Sequence, residues 1–150
     1  MSDTRQHNPA KSLRHRAREL AVQGIYEWRL SGKKSALIEK GTRDEKSLGR
    51  YDTEFFGSLL NGAIARHEEL AAQIAPHLDR KLDELSPVEY SVLLLGAYEM
   101  SHHPEVPYRV VINEAVELAK TFGGSDGHKF VNGVLDKLAA KVRAAEVAAK

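Results

Sequence analysis

The thirteen residues 86–98, SPVEYSVLLLGAY, constrain the fold more than any other stretch of the chain. Ser86 can accept a hydrogen bond from the amide of Glu89, and the Glu89 carboxylate can reach back to the amide of Ser86. This reciprocal pair starts a helix. Pro87 occupies the first helical position, where a missing N–H costs nothing. The residues that follow (Val92, Leu93, Leu94, Leu95, Gly96, Ala97 and Tyr98) point apolar groups in every direction around the helix axis. A helix with no polar face has to be enclosed on all sides. It therefore needs several partners, and the rest of the chain offers only helices.

From Ser12, the positions Leu13, Ala17, Leu20, Ala21, Gly24 and Trp28 recur at helical spacing, and Ser31-Gly32 is a stop. Residues 33–50, charged and punctuated by glycine, predict a loop in which Ala36-Leu37-Ile38 makes at most a short turn. Asp52 can cap a second long helix reaching about Leu78, which Pro76 either kinks or ends. Residues 81–85 form a short helical piece. Pro104 closes the central helix, and Pro107 opens another with Val111, Ile112, Ala115, Val116, Leu118, Ala119 and Phe122 on one stripe. Gly123–Gly127 reads as a loop with Asp126 as the cap of a last helix, whose stripe is Val131, Val134, Leu135, Leu138 and Val142. No stretch alternates with a strand's period of two. The expectation is an all-α bundle: a mobile arm at 1–11, one helical domain at 12–145 and a frayed, alanine-rich tail at 146–150.

With 150 residues, 42% of them hydrophobic and 29% charged, the chain can build one ordinary core. The absence of cysteine excludes disulfides and thiolate metal sites. No apolar run approaches the ~20 residues of a membrane helix, and the first residues lack the apolar segment of a secretory signal. The cytoplasm is the expected location.

Catalytic patterns are missing. His102 and His103 are adjacent and point about 100° apart on a helix, so they cannot share an ion from one face. Glu99-Met100-Ser101-His102 matches the carboxylate–histidine spacing of di-iron bundles, but no second copy exists. The pattern reads as a solvated helix end with histidines favourably near its dipole. The glycines of 123–127 lack the Gly-Lys-Ser/Thr ending of a phosphate loop. We expect no enzyme, no cofactor and no metal.

Charge is concentrated instead. Up to residue 18 the chain carries Arg5, Lys11, Arg14, Arg16 and Arg18 against Asp3, a balance of +4 in a chain of net charge +1. A block of guanidinium groups on a weakly acidic body suits a polyanion, nucleic acid first, although a solvated basic tail has the same composition. On a helical wheel Lys11, Arg14, His15, Arg18 and Arg29 share a face with Val22 and Tyr26. Either another helix covers part of that face, or a ligand with flat apolar surfaces does, as single-stranded RNA would. At the start of the last helix, Phe130 lies about 100° off the apolar stripe, with Lys129 before it and Lys137 and Lys141 on its flank. It is either an edge of the core or a platform for a base.

Four segments, RARELAVQGIYEW from Arg16, ELSPVE from Glu84, VPYRVVINEAVELAK from Val106 and HKFVNGVLDK from His128, closely resemble the bacterial NusB family of antitermination factors. The likeness runs from about residue 14 to about 140. It implies an all-helical fold of two small bundles packed into one globular domain. It also implies a non-enzymatic factor that binds boxA of nascent ribosomal-RNA leader transcripts together with a small ribosomal protein, NusE. Such a factor works with other Nus factors and helps RNA polymerase read through terminators. Matched by position, the implied RNA contacts are Arg14, Arg16, Arg18, Tyr26, Asp126, Lys129 and Phe130. Glu89 is the implied partner contact, in competition with its capping role. His15 stands where many members have arginine, and Gly127 where serine is usual. Two alternatives stay open: an accessory module for an RNA methyltransferase, since NusB-like modules precede some RNA cytosine methyltransferase domains, or a protein–protein adaptor. The exposed cationic face could also be hidden in a homodimer when RNA is absent.

Overall fold

The computed structural model describes residues 9–124 and 126–149, with side chains from residue 13 onward. Eight α-helices follow one another: α1 (Pro9–Ser31), α2 (Ser35–Asp44), α3 (Thr53–Ala65), α4 (His67–Ile74), α5 (Pro87–His102), α6 (Tyr108–Phe122), α7 (Gly127–Val142) and α8 (Ala144–Ala149). There is no strand among the described residues, as the all-α reading requires.

The capping box forms as the sequence dictates. Ser86 Oγ accepts from Glu89 N at 3.1 Å, and Ser86 N donates to Glu89 Oε1 at 3.1 Å. Helix α5 is then buried along most of its length and packs against α1, α3, α4, α6 and α7. Helices α1–α3 pack on one another and, through α1 and α3, on α5, and α7 packs on α5, α6 and α8, giving two small bundles that share one continuous core. Helix α1 stops where expected, with Gly32 at φ 75° and its amide donating to Trp28 O at 2.9 Å.

Several expectations are corrected. Residues 1–8 of the arm lie outside the described residues, but α1 already begins at Pro9. Residues 33–50 are not a loop: α2 spans ten of them, with Ile38 alone buried. Its charges are paired one turn apart, Glu39 with Arg43 and Lys40 with Asp44, so a polar helix is held by its own side chains.

The helix expected from Asp52 to about Leu78 does start at the Asp52 cap, whose Oδ1 accepts from Phe55 N at 2.9 Å. It breaks at Arg66, where the amide is shared between the Gly62 and Ile64 carbonyls. The His67 ring takes the Ile64 carbonyl at 2.8 Å and packs edge-on to Trp28. Pro76 falls in a 3-10 turn after α4.

The tail is not frayed over 146–149. Arg143, buried, donates to the carbonyls of Met100, His103 and Val106 at the end of α5, and Glu146 accepts from Tyr108 N at 2.9 Å, so α8 is tied to the body. Nor is the end of α5 solvated. Glu99 is 1% exposed. The His102 ring stacks on Tyr98 at 4.8 Å, and His103 bonds to Ser58 and Glu105.

Candidate nucleic-acid interface

Helices α1 and α6 lie side by side and run in the same direction. Glu114 in the middle of α6 meets His15 (2.7 Å) and Arg18 (3.4 Å), and Phe122 at its end lines one cavity with Val22 and Tyr26. This pairing explains the mixed face of α1. Val22 is buried at 2%, because a helix covers it, while Tyr26 stays exposed at 38%. The covering-helix alternative holds at Val22, and Tyr26 is left open to solvent.

The three arginines separate. Arg14 Cζ lies over Phe55, 4.1 Å from the ring centroid, with Asp52 and Glu105 at 3.7 and 3.8 Å. Arg16 donates to Glu19 at 3.0 Å. Both are about one-third exposed, and ion pairs at such positions are weak enough to exchange for a phosphate.

Arg18 is different and corrects the expectation. It is 3% exposed and donates three hydrogen bonds to the buried Glu99, the shortest at 2.6 Å. Burial works against its charge, but the hydrogen bonds and field of Glu99, followed by Glu114, outweigh it and hold the guanidinium more firmly charged than usual. A group with its donors turned inward cannot meet a phosphate. Arg18 orders the core between α1, α5 and α6, and through Glu114 it braces His15.

Tyr26, Val22 and Gln23 of α1, Val88 of α5 and Phe122 of α6 line a mainly apolar cavity of about 290 Å³. Val88 also lies 3.6 Å from the point where a Cβ on Gly123 would stand, and Glu89 Oε2 lies 3.8 Å from the same point on Gly127. The loop before α7 is therefore laid against the first turn of α5, whose Val88 also lines the cavity with Tyr26. At the end of α1 the Arg29 guanidinium stacks 4.0 Å from the Tyr90 ring. Tyr26 of α1, the first turn of α5 and the loop that opens α7 are therefore neighbours.

At that start, Asp126 occupies the capping position but its side chain bonds to no α7 amide. Its carbonyl accepts from Lys129 N at 3.2 Å instead. The expected side-chain cap is thus absent, and Asp126 and Lys129 are both exposed to solvent. Phe130 is half-buried, and the Arg80 guanidinium carbon lies 4.2 Å from its ring centroid. Arg80 escapes sequence reasoning because Asp79-Arg80 sits in a connection with no periodicity to place it. Glu89 serves its capping role through Oε1, which leaves Oε2 facing the α7 loop. A side chain at Gly127 would make only ordinary contact there, so the loss of the usual serine removes a hydroxyl without reshaping the loop.

No group of three or more His, Asp or Glu among the described residues could hold a metal ion, and no described helix is long and apolar enough to cross a membrane.

The family model for NusB matches residues 15–140. The chain belongs to the NusB family. It is 58% identical over 133 residues to the transcription antitermination protein NusB of Nitrosospira multiformis, covering 89% of this chain and 84% of that protein. It is 55% identical over 142 residues to the protein of the same name from Cupriavidus pinatubonensis, covering 95% and 85%. Among solved structures, T. maritima NusB shares the fold at a TM-score of 0.76 and 24% identity, covering 89% of this chain and 96% of that one. A crystal structure of antitermination factors NusB and NusE in complex with double-stranded RNA matches at a TM-score of 0.75 and 30% identity, covering 83% and 93%.

Proposed function

We propose that this protein is a non-enzymatic, RNA-binding transcription antitermination factor. It binds the boxA element of nascent ribosomal-RNA leader transcripts together with the small ribosomal protein NusE. With other Nus factors it promotes read-through by RNA polymerase in the cytoplasm. The observation that carries the reading is the mainly apolar cavity that Tyr26 of α1 lines with Val88 of α5 and Phe122 of α6, next to the loop that opens α7. Membership of the family supports it, as does the NusB–NusE–RNA complex formed by a protein 30% identical to this one.

In this reading Arg14 and Arg16 exchange their exposed carboxylate partners for phosphates, and Tyr26 and Phe130 offer flat surfaces to unpaired bases. Asp126, beside them on the loop, accepts from base or ribose donors. Glu89 Oε2 and the weakly acidic body favour a basic ribosomal protein. A gel-shift titration with boxA RNA, with and without NusE and at two salt concentrations, tests the proposal. Tight, salt-sensitive binding that NusE strengthens is the expected result. Equal affinity for boxA and a scrambled RNA, unchanged by NusE, would overturn it.

A further inference from the structure

Beyond Phe130 the surface does not end. Phe130, Lys137 and Lys141 stand at i, i+7 and i+11 on α7, within about 20° of one line down the helix. Lys137 and Lys141 are exposed and have no ion-pair partner among the described residues. Their charges reach the connection after α4. His77 is held below its usual value by burial, and then by Lys141 and Lys137. Asp79 is held low chiefly by its hydrogen bond to Arg80, with Lys137 contributing. Helix α7 packs on the turn Ala75–His77, so the two ammonium groups stand within electrostatic range of the connection that carries Arg80 to the Phe130 ring.

The geometry of Arg80 is specific. Its Nε donates to Asp79 Oδ1 at 2.8 Å and its Nη2 to Oδ2 at 3.5 Å, so one edge is held by the carboxylate while Cζ lies over the ring, 4.2 Å from its centroid. Nη1 makes no hydrogen bond among the described residues, and the side chain is 38% exposed. A guanidinium held this way presents a flat outer face for a base and free N–H groups for a phosphate, which a lysine at the same place would not. An isolated surface arginine would gain little by holding one posture. Here both a carboxylate and an aromatic ring hold it.

We propose that Arg80, stacked on Phe130, is an RNA-binding residue, and that the strand continues from it along α7 over Lys137 and Lys141. This rests on the RNA-binding reading above and extends its track past the start of α7. A planar stack beside spaced ammonium groups fits single-stranded RNA better than an acidic peptide, which needs charge but no flat face.

The test uses the full chain, with NusE present, and a single-stranded boxA RNA carrying flanking nucleotides on both sides. Arg80→Ala should weaken binding about five- to tenfold. Arg80→Lys, which keeps the charge and loses the plane, should recover less than half of that loss. Lys137→Ala/Lys141→Ala should lower the slope of log K against log salt by about 1.4, from ~0.7 per single-strand phosphate. Thermal unfolding of all three should match the parent, since the substituted side chains are exposed. If the parent binds boxA and Arg14→Ala/Arg16→Ala weakens it, while the Arg80 and Lys137/Lys141 variants bind with parental affinity and slope, the extension fails and the RNA-binding reading stands. If the parent binds no RNA, both fail. If the Arg80 variants lose NusE and keep RNA affinity, the surface belongs to a protein and the proposal is wrong.

Discussion

Replacing Arg18 by alanine separates a structural arginine from an RNA-binding one. In the folded protein its guanidinium makes three hydrogen bonds to Glu99, at 2.9, 3.2 and 2.6 Å, and an ion pair with Glu114 at 3.4 Å. Glu114 keeps His15 if Arg18 is removed. Glu99, 1% exposed, keeps no hydrogen-bond donor among the described residues. Breaking a buried pair from one side leaves an uncompensated charge and costs about 3–5 kcal/mol, a large share of a domain's ~5–15 kcal/mol. Arg14→Ala, at a position open to water, should cost at most about 1 kcal/mol. Urea unfolding at pH 7, with unchanged m-values, reads both. The double replacement Arg18→Met/Glu99→Leu should regain most of the loss, because two apolar groups replace the pair without leaving a charge. Were Arg18→Ala to cost under about 1 kcal/mol while flattening the salt slope of RNA binding, the argument for a core role would be wrong.

Three further outcomes follow from particular side chains. A Cβ on Gly62 would sit 2.1 Å from Tyr98 Cζ and 2.3 Å from its hydroxyl, so Gly62→Ala should destabilise the fold by about 1–2 kcal/mol despite its better helix propensity. In a Tyr98→Ala background the same change should become stabilising in urea melts. Arg143→Met strips the donors from three carbonyls and should cost roughly 2–4 kcal/mol, with α8 amides losing hydrogen-exchange protection first. His102 is held below its ordinary value of 6.5 by burial and by Arg66, and its Nε2 has no hydrogen-bond partner. Between its folded and unfolded values the unfolded chain binds the proton more readily, so stability falls as pH drops through and below 6.5. His102→Phe should lessen the loss measured between pH 7 and 5, and His77, shifted the same way, should retain a part of it.

What is legible in the sequence follows from locality. The Ser86–Glu89 box and the unbroken apolar surface of α5 are encoded within a few residues, and both appear as read. The fate of Arg18 is encoded 81 and 96 residues away, at Glu99 and Glu114, where no wheel can find it. Val22 beside it is the one local sign that a helix lies over that face. Helix α2 reads as a loop because its single buried residue leaves no stripe, and pairing between its own charges supplies what burial does not. At the α3–α4 break His67 meets Trp28, again across distant segments. Arg14, Arg16, Tyr26 and Phe130 are legible as partly exposed cations and rings on defined helix faces. Arg80 is not, since only the folded chain brings it to Phe130.

The central claim is that arginines of α1 and a ring on α7 serve one RNA strand through different physics. Titrating boxA RNA across a range of salt concentrations, for the parent, Arg14→Gln/Arg16→Gln and Phe130→Ala, tests it most directly. The arginine pair should flatten the slope of log K against log salt by about 0.7 for each phosphate that is no longer neutralised. Phe130→Ala should lower affinity by roughly 1–3 kcal/mol with the slope nearly parental. Parallel lines for the parent and the arginine variant, or parental affinity for Phe130→Ala, would contradict the account.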